Sequence, residues 1–385
     1  MHRERVAVIR AEALNPFEMQ SYVPLREQYE IRLIGRRRAP YETALVDLPC
    51  VLLPSIGSYS LLRKIWRGTE RTLRTQFRDT DFLVGLGSAV ADCEILHAAE
   101  TAIPVSEQVA TICKRTDQKL VLTCWETIPF RYDDDARLRS RKCRVKDAVS
   151  LYIAVTPQAR DALVDEGVDA SQIEVVPAAV DCRRFSPDVY PGGIRSQWKI
   201  TESQTVVLYV GRLIQEKGIV ELVRAFSRVR DRDSVLVIVG YGNQKDRAMH
   251  AARSLGITER VRVVSRVSYA DVPRLYAAAD VVVAPSLPTP YWEEQFGMVL
   301  VEAMASGRAL LTTASGAIPG VVKEAAVQVS PYCADSLAEQ LQHLVSSPDV
   351  RSELGSRARQ LALSSYSLEV VAPQLAACYK RVLTG

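Results

Sequence analysis

The chain has 385 residues, 48% of them hydrophobic and 24% charged, with a formal net charge of +4. That length exceeds what one compact core holds and suits two domains of ordinary size. The charge balance excludes an acidic disordered protein, and it is too mild to argue for a nucleic-acid partner.

No stretch approaches the roughly 20 apolar residues that a membrane span needs. The opening MHRERVAVIRAEAL carries charges throughout and lacks an apolar signal-peptide core. A cytoplasmic protein is expected. The eight cysteines are scattered without a Cys-x-x-Cys pair, and no histidine stands at metal-ligand spacing from one. Neither a disulfide framework nor a zinc site is expected.

In chain order, short runs rich in Val, Ile and Leu mark strands at Val6–Ile9, Val51–Leu53, Phe82–Val84, Leu120–Thr123, Leu151–Val155 and Ile173–Val176. A second series follows at Val206–Val210, Val235–Val239, Val261–Val264, Val281–Ala284 and Ala309–Thr312. Continuous apolar runs of this length suit strands covered on both faces, hence parallel sheets flanked by helices. The alternation predicts an α/β protein of two Rossmann-like, doubly wound parallel-sheet domains facing across a cleft. The linker is expected at about 186–200, where Ser186, Pro187, Pro191, Gly192 and Gly193 interrupt the aliphatic pattern. This gives an N-terminal domain at 1–190 and a C-terminal domain at 191–366. A helix at 367–385 is expected to pack back toward the first domain.

In doubly wound folds ligands bind beyond the carboxyl ends of strands, so the chemistry belongs in the loops that follow them. After Val206–Val210 comes VGRLIQEKGIVELVRAF. Gly211 permits a sharp turn, Arg212 leaves the strand end, and Lys217 precedes a helix whose free amides favour an anion. Phosphate or diphosphate is the natural guest; the alternative is a solvated pair of cations on an ordinary turn. After Val281–Ala284 comes APSLPTPYWEEQFGMVLVEAMASGRALL, in which Glu302 is the lone charge between Gly297 and Arg308. Glu294 lies just ahead of that helix, near the amides of Gly297 and Met298. Carboxylates beside free amides suit a ligand with both hydroxyls and an anion. Otherwise Glu294 is a helix-start charge and Glu302 an edge residue.

Together the segments GRLIQEKG, VIVGYG, ADVVVAPS and EQFGMVLVEAMASG resemble the retaining, nucleotide-sugar-dependent glycosyltransferases of family four, which have the GT-B fold. The resemblance covers the second domain and reaches weakly into the first through VVPAAVDCRRFSPD, where Ala178 and Ala179 replace the family's Asn-Gly. It implies a hexosyltransferase of carbohydrate biosynthesis. The enzyme would move a hexose-type sugar from a nucleoside diphosphate sugar to a hydroxyl acceptor (a glycan, a lipid-linked or phosphate-bearing molecule, or another small molecule). It also implies catalysis without a metal or other cofactor. Arg212 and Lys217 would neutralise the donor diphosphate, and Glu302 would accept from ribose hydroxyls. Glu294 would accept from the sugar, with Gln295, Phe296, Gly297 and Met298 alongside. Gly211 would carry the phosphate turn, while Arg266 and Val267 would lie where the family's backbone reads the base.

Two segments depart from the pattern. The family's Gly-Gly loop after the first strand is replaced by IRAEALNPFEMQSYV, leaving Asn15 and Pro16 as donor-side candidates. The family's His-Asp pair is replaced by Trp125 and Glu126 in LTCWETIPF. Glu126 could contact a donor hydroxyl or help take the acceptor proton; equally, it could be a helix-entry residue. On the acceptor side, Arg63, Lys64, Arg67, Arg71, Arg74 and Arg78 recur at helical spacing, and RLRSRKCRVK forms a second basic cluster. Both could meet an anionic membrane surface at its inner face or a phosphate-bearing acceptor, or be plain solvated faces.

An NAD-type oxidoreductase needs Gly-x-Gly-x-x-Gly after a strand, but Gly240 and Gly242 are followed by Lys245 at the third position. A non-catalytic nucleotide-sugar-binding protein would keep Arg212, Lys217 and Glu302 without needing Glu294.

Overall fold

The computed structural model describes residues 3–37, 42–55, 82–265 and 267–384. The chain divides into two compact units, one of residues 1–177 and 371–385 and the other of residues 178–370.

The first unit holds a seven-stranded sheet in the order β3-β2-β1-β4-β5-β6-β7. Its strands are β1 (Arg5–Ala11), β2 (Glu30–Arg36), β3 (Cys50–Leu53), β4 (Ile95–Ala99), β5 (Lys119–Cys124), β6 (Val149–Ala154) and β7 (Ile173–Val175). The second holds a six-stranded sheet in the order β10-β9-β8-β11-β12-β13. It is built from β8 (Val206–Val210), β9 (Val235–Val239), β10 (Val261–Val264), β11 (Val281–Ala284), β12 (Ala309–Thr313) and β13 (Val327–Val329). All neighbouring strands in both sheets are parallel. Side chains such as Val207, Leu208, Leu236 and Val237 are fully buried, which is why these runs carry no polar alternation. Strand order reverses between β1 and β4 in one sheet and between β8 and β11 in the other, and these switch points open a crevice for ligands.

Three strands escape a search for apolar runs. β2 reads EIRLIGR and is broken by charge, β4 carries His97 at its centre, and β13 has three residues. His97 is tolerated because both ring nitrogens are engaged, with Tyr379 Oη at 2.7 Å and Thr123 Oγ1 at 2.6 Å. Burial, reinforced by Arg10, holds its pKa well below the usual value and keeps it neutral. Conversely, Phe82–Val84 is not a strand. Leu83 makes an isolated antiparallel bridge to Ser55, and the Gln108 side chain accepts from Leu83 N at 2.9 Å and donates to Leu83 O at 2.7 Å.

The division at 177/178 lies ahead of the Pro- and Gly-marked segment at 186–200. Residues 178–190 are tied to the second unit. Val180 N donates to Tyr366 O at 2.8 Å, and Arg359 donates to the carbonyls of Phe185 (2.8 Å) and Cys182 (2.9 Å). The turn residues mark a bend, while the hydrogen bonds set the boundary. At the other end, residues 371–385 belong to the first unit, where Val371, Leu375 and Tyr379 of the helix Leu368–Thr384 are buried. All eight cysteines are free thiols. No helix among the described residues is long and apolar enough to cross a membrane.

Candidate functional site

The second unit's switch point assembles two loops. The one after β8 runs through Gly211 and Arg212 to a short turn, Gln215–Lys217, before the helix Ile219–Ser227. Gly218 links turn and helix at φ +64°, and a Cβ there would stand 2.0 Å from the Pro285 carbonyl oxygen. Only glycine lets this loop press against the loop after β11. Leu287 N donates to Glu216 O at 2.8 Å and fastens the contact. Tyr209 donates to the Arg212 carbonyl at 2.7 Å and fixes the first bend.

This stitching brings Lys217 to Glu294. The ammonium lies 2.5 Å from Glu294 Oε2 and 4.9 Å from the centroid of the Trp292 ring, and Ser286 Oγ donates to the same oxygen at 2.8 Å. Burial pushes the Glu294 carboxyl up, but Lys217, Ser286 and Arg212 together outweigh it and leave the pKa below the ordinary value. Glu294 is therefore a buried, ionised acceptor at neutral pH. Its own carbonyl accepts from Ala317 N at 2.8 Å, and at Gly316 (φ +53°) a Cβ would stand 2.4 Å from that carbonyl oxygen. Arg212 is exposed and, among the described residues, its guanidinium has no hydrogen-bond or ion-pair partner. One cation is thus held and the other is free, on the same loop.

Beyond Glu294, Gln295 is half-buried and Phe296 is buried edge-on against Tyr366 at 5.8 Å. Gly297 caps the helix Met298–Ala305 without a side-chain hydrogen bond, so no side chain claims the first-turn amides. Glu302 faces the other way, into a tyrosine pair that sequence reasoning missed. Tyr269 Oη donates to Oε1 at 3.0 Å and Tyr276 Oη to Oε2 at 2.9 Å. Burial raises the Glu302 pKa to about 7 despite both hydrogen bonds and the Arg184 charge. Arg184 stacks on Tyr269, its Cζ 4.1 Å from the ring centroid. Nothing in the spacing of Arg184, Tyr269 and Tyr276 marks them beforehand, because they meet only through tertiary packing. Val267 is half-buried just after β10. Arg266 lies outside the described residues.

In the first unit, Asn15 caps the short helix Pro16–Met19. Its Oδ1 accepts from Glu18 N at 2.8 Å, and its Nδ2 donates to Ala13 O and to Glu18 Oε1. The Asn15 side chain is thereby spent on local structure, and Pro16 is the first helical residue, where a missing N–H costs nothing. Glu126 follows β5. Its Oε2 lies 2.5 Å from Arg131 Nη1, and its Oε1 accepts from Thr127 N and Ile128 N, each at 3.1 Å.

The RLRSRKCRVK cluster forms the helix Ala136–Lys146 and is largely neutralised. Arg141 pairs with Glu107 at 2.8 Å, Lys142 with Asp133 and Glu166 at 2.8 and 2.6 Å, Arg144 with Glu107 at 2.6 Å, and Lys146 with Glu166 at 2.7 Å. Four of the cluster's six cations are thus paired, by three carboxylates, while Arg137, Arg139 and Arg144 are exposed. The stripe from Arg63 to Arg78 lies outside the described residues. Among the described residues, no group of three or more His, Cys, Asp or Glu side chains is placed to hold a metal ion.

Residues 193–361 match the family profile described as "Glycosyl transferases group 1". The second unit carries a group 1 glycosyltransferase domain. Arg212, Lys217, Glu294 and Glu302 all fall inside it. The chain is 33% identical over 237 residues to an MMP alpha-(1->4)-mannosyltransferase of Mycolicibacterium hassiacum, covering 60% of this chain and 54% of that one. It is 31% identical over 256 residues to a D-inositol 3-phosphate glycosyltransferase of Salinispora arenicola, covering 60% and 55%. The chain thus spans about half the length of the curated relatives it matches. Its fold superposes on Anabaena Alr3699/HepE, solved in complex with UDP-glucose, with a TM-score of 0.78 at 18% identity over 99% of this chain and 100% of that one. The two parallel-sheet units are those of the GT-B glycosyltransferase fold.

Proposed function

We propose that this protein transfers a hexose-type sugar from a nucleoside diphosphate sugar to a hydroxyl acceptor, with retention of anomeric configuration. The observation that carries the reading is the pairing of Lys217 with buried Glu294 while Arg212, on the same loop, stays exposed and unpaired. A diphosphate suits that free cation and the helix-start amides of Met298–Ala305. The UDP-glucose complex of Alr3699/HepE supports a donor of this class.

The barrier to transfer is charge separation, with positive character at the anomeric carbon and negative charge on the departing phosphate. Arg212 and Lys217 act where that negative charge grows, which is differential stabilisation of the transition state. Glu294 orients Lys217 through Oε2, and its Oε1, without a partner among the described residues, is left to accept a sugar hydroxyl. Glu302 receives the ribose hydroxyls when they displace the tyrosine hydroxyls that hold it in the free protein. The leaving phosphate helps deprotonate the acceptor on the same face of the sugar, so no covalent sugar–enzyme intermediate forms. The reaction needs no metal, since the two cations neutralise the diphosphate. The first unit reads the acceptor, and the protein works in the cytoplasm with peripheral access to the inner membrane face.

A thermal-shift panel of UDP, GDP, ADP and their sugars tests the donor half. A matching nucleotide at a hundredfold excess over its Kd stabilises by about 2.7 kcal/mol. Absence of any shift across the panel overturns the reading, and trapping of a glycosyl-enzyme overturns the same-face route.

A further inference from the structure

The first unit's switch point carries a second carboxyl that the site description leaves unused. Glu100 directly follows β4, the strand that lies beside β1 where the order reverses, and Glu126 directly follows β5, its neighbour. Glu100 has φ +63°, a left-handed conformation uncommon for a residue with a Cβ, and such strain gathers at functional sites. The strain is held from both sides. Glu100 N donates to Thr123 O at 2.9 Å, and its carboxyl Oε1 accepts from Trp125 N at 2.7 Å. The carboxyl also accepts from the Glu126 backbone N–H.

We propose that Glu100 is a positioning residue, whose carboxyl straps down the Trp125–Glu126 turn at the edge of the first sheet. The strap itself is independent of the function proposed above; its bearing on transfer rests on that reading. Arg131 and two amides fasten the Glu126 carboxylate. Burial lifts the Glu100 carboxyl to about 7 although the Trp125 and Glu126 amides both donate to it. Around it stand Glu126, Arg131 and Tyr132 after β5, Cys124 at the end of β5, Lys142 on the helix Ala136–Lys146, and Glu166 just past the helix Pro157–Asp165. Lys142 and Glu166 neutralise each other at 2.6 Å, and the charges of Glu126 and Arg131 act on Glu100 in opposite directions. As pH rises through about 7, a negative charge arrives at Glu100, next to the turn.

The chain contains four tryptophans, so selective ¹⁵N-tryptophan labelling gives a spectrum sparse enough to follow. Trp125→Phe assigns the Trp125 amide resonance. In the unaltered protein this resonance should move with pH with a midpoint near 7, and Glu100→Gln, which keeps an acceptor but no titrating proton, should hold it still. A Trp125 amide that ignores pH in the unaltered protein, or that still titrates in Glu100→Gln, overturns the proposal. In a sugar-transfer assay, the ratio of unaltered to Glu100→Gln kcat/KM should change with pH across the midpoint; a constant ratio removes the link to transfer. The amide titration requires no donor, so a protein that shows it yet transfers nothing refutes the function and leaves the strap intact.

Discussion

The strand-end loops of the two sheets use similar residues in opposite ways. In the first unit, Arg131, Arg141, Lys142, Arg144 and Lys146 are each satisfied by Glu107, Glu126, Asp133 or Glu166. In the second, Lys217 has one carboxylate, Glu294, and Arg212 has no partner among the described residues. Both units hold non-glycine residues at positive φ, Ala11, Glu100 and Phe130 in the first and Lys199, Lys323 and Tyr332 in the second, but the loops that bring Lys217 to Glu294 turn on Gly218 and Gly316. A count of basic residues would rank the first unit as the anion site, but their pairing reverses that ranking. A cation left exposed at a loop pressed together through glycine is available to a ligand.

The largest effect is expected from Lys217→Ala. Turnover should fall by about 10²–10³, and the melting temperature should fall too, because buried Glu294 loses its counter-charge at a cost of about 3 kcal/mol. Arg212→Ala should lower turnover by about 10² with a smaller fall in melting than Lys217→Ala, since its guanidinium has no hydrogen-bond or ion-pair partner among the described residues and only its longer-range charge acts on Glu294. Equal stability losses in both variants would erase the distinction between held and free cation.

Next comes a pH effect. Glu100 and Glu302 rise from 4.5 to about 7 on folding, so the native state holds their protons more tightly than the unfolded chain does. The stability each contributes is complete below about pH 4.5 and is lost as pH rises toward 7, up to about 3 kcal/mol per group. His97 runs the other way, because its depressed pKa gives stability above about pH 6.5 that is lost on acidification. Denaturant titrations at about pH 5 and about pH 8 should show Glu100→Gln gaining on the unaltered protein at the higher pH; no relative gain breaks the assignment. The smallest effect is expected from Arg144→Ala. Its side chain is 51% exposed, and loss of its pair with Glu107 should cost under about 1 kcal/mol in the same titrations. A larger loss would mean that the first unit's ion network is more tightly coupled than the exposure suggests.

The layered α/β architecture was legible because buried parallel strands write themselves as apolar runs, as in VLVIV at β9. It failed where a side-chain partner replaced hydrophobicity, as Tyr379 and Thr123 do for His97 in β4 and as Gln108 does around Leu83. Lys217, Glu294 and Arg212 could be read from their places after strands. The tyrosines on Glu302 could not, since their contacts join residues 33 and 26 positions away from it. Asn15 shows the reverse case, a polar residue in a suggestive loop whose side chain is consumed by capping a helix.

The close approach of Gly218 to the Pro285 carbonyl constrains how donor choice can be altered. A side chain at 218 would part the loops and carry Lys217 away from Glu294, so that position offers no room for retuning. Under the proposed function, libraries aimed at a different nucleotide or sugar would keep 218 and 285 fixed and vary the surface around Val267, Tyr269 and Arg184.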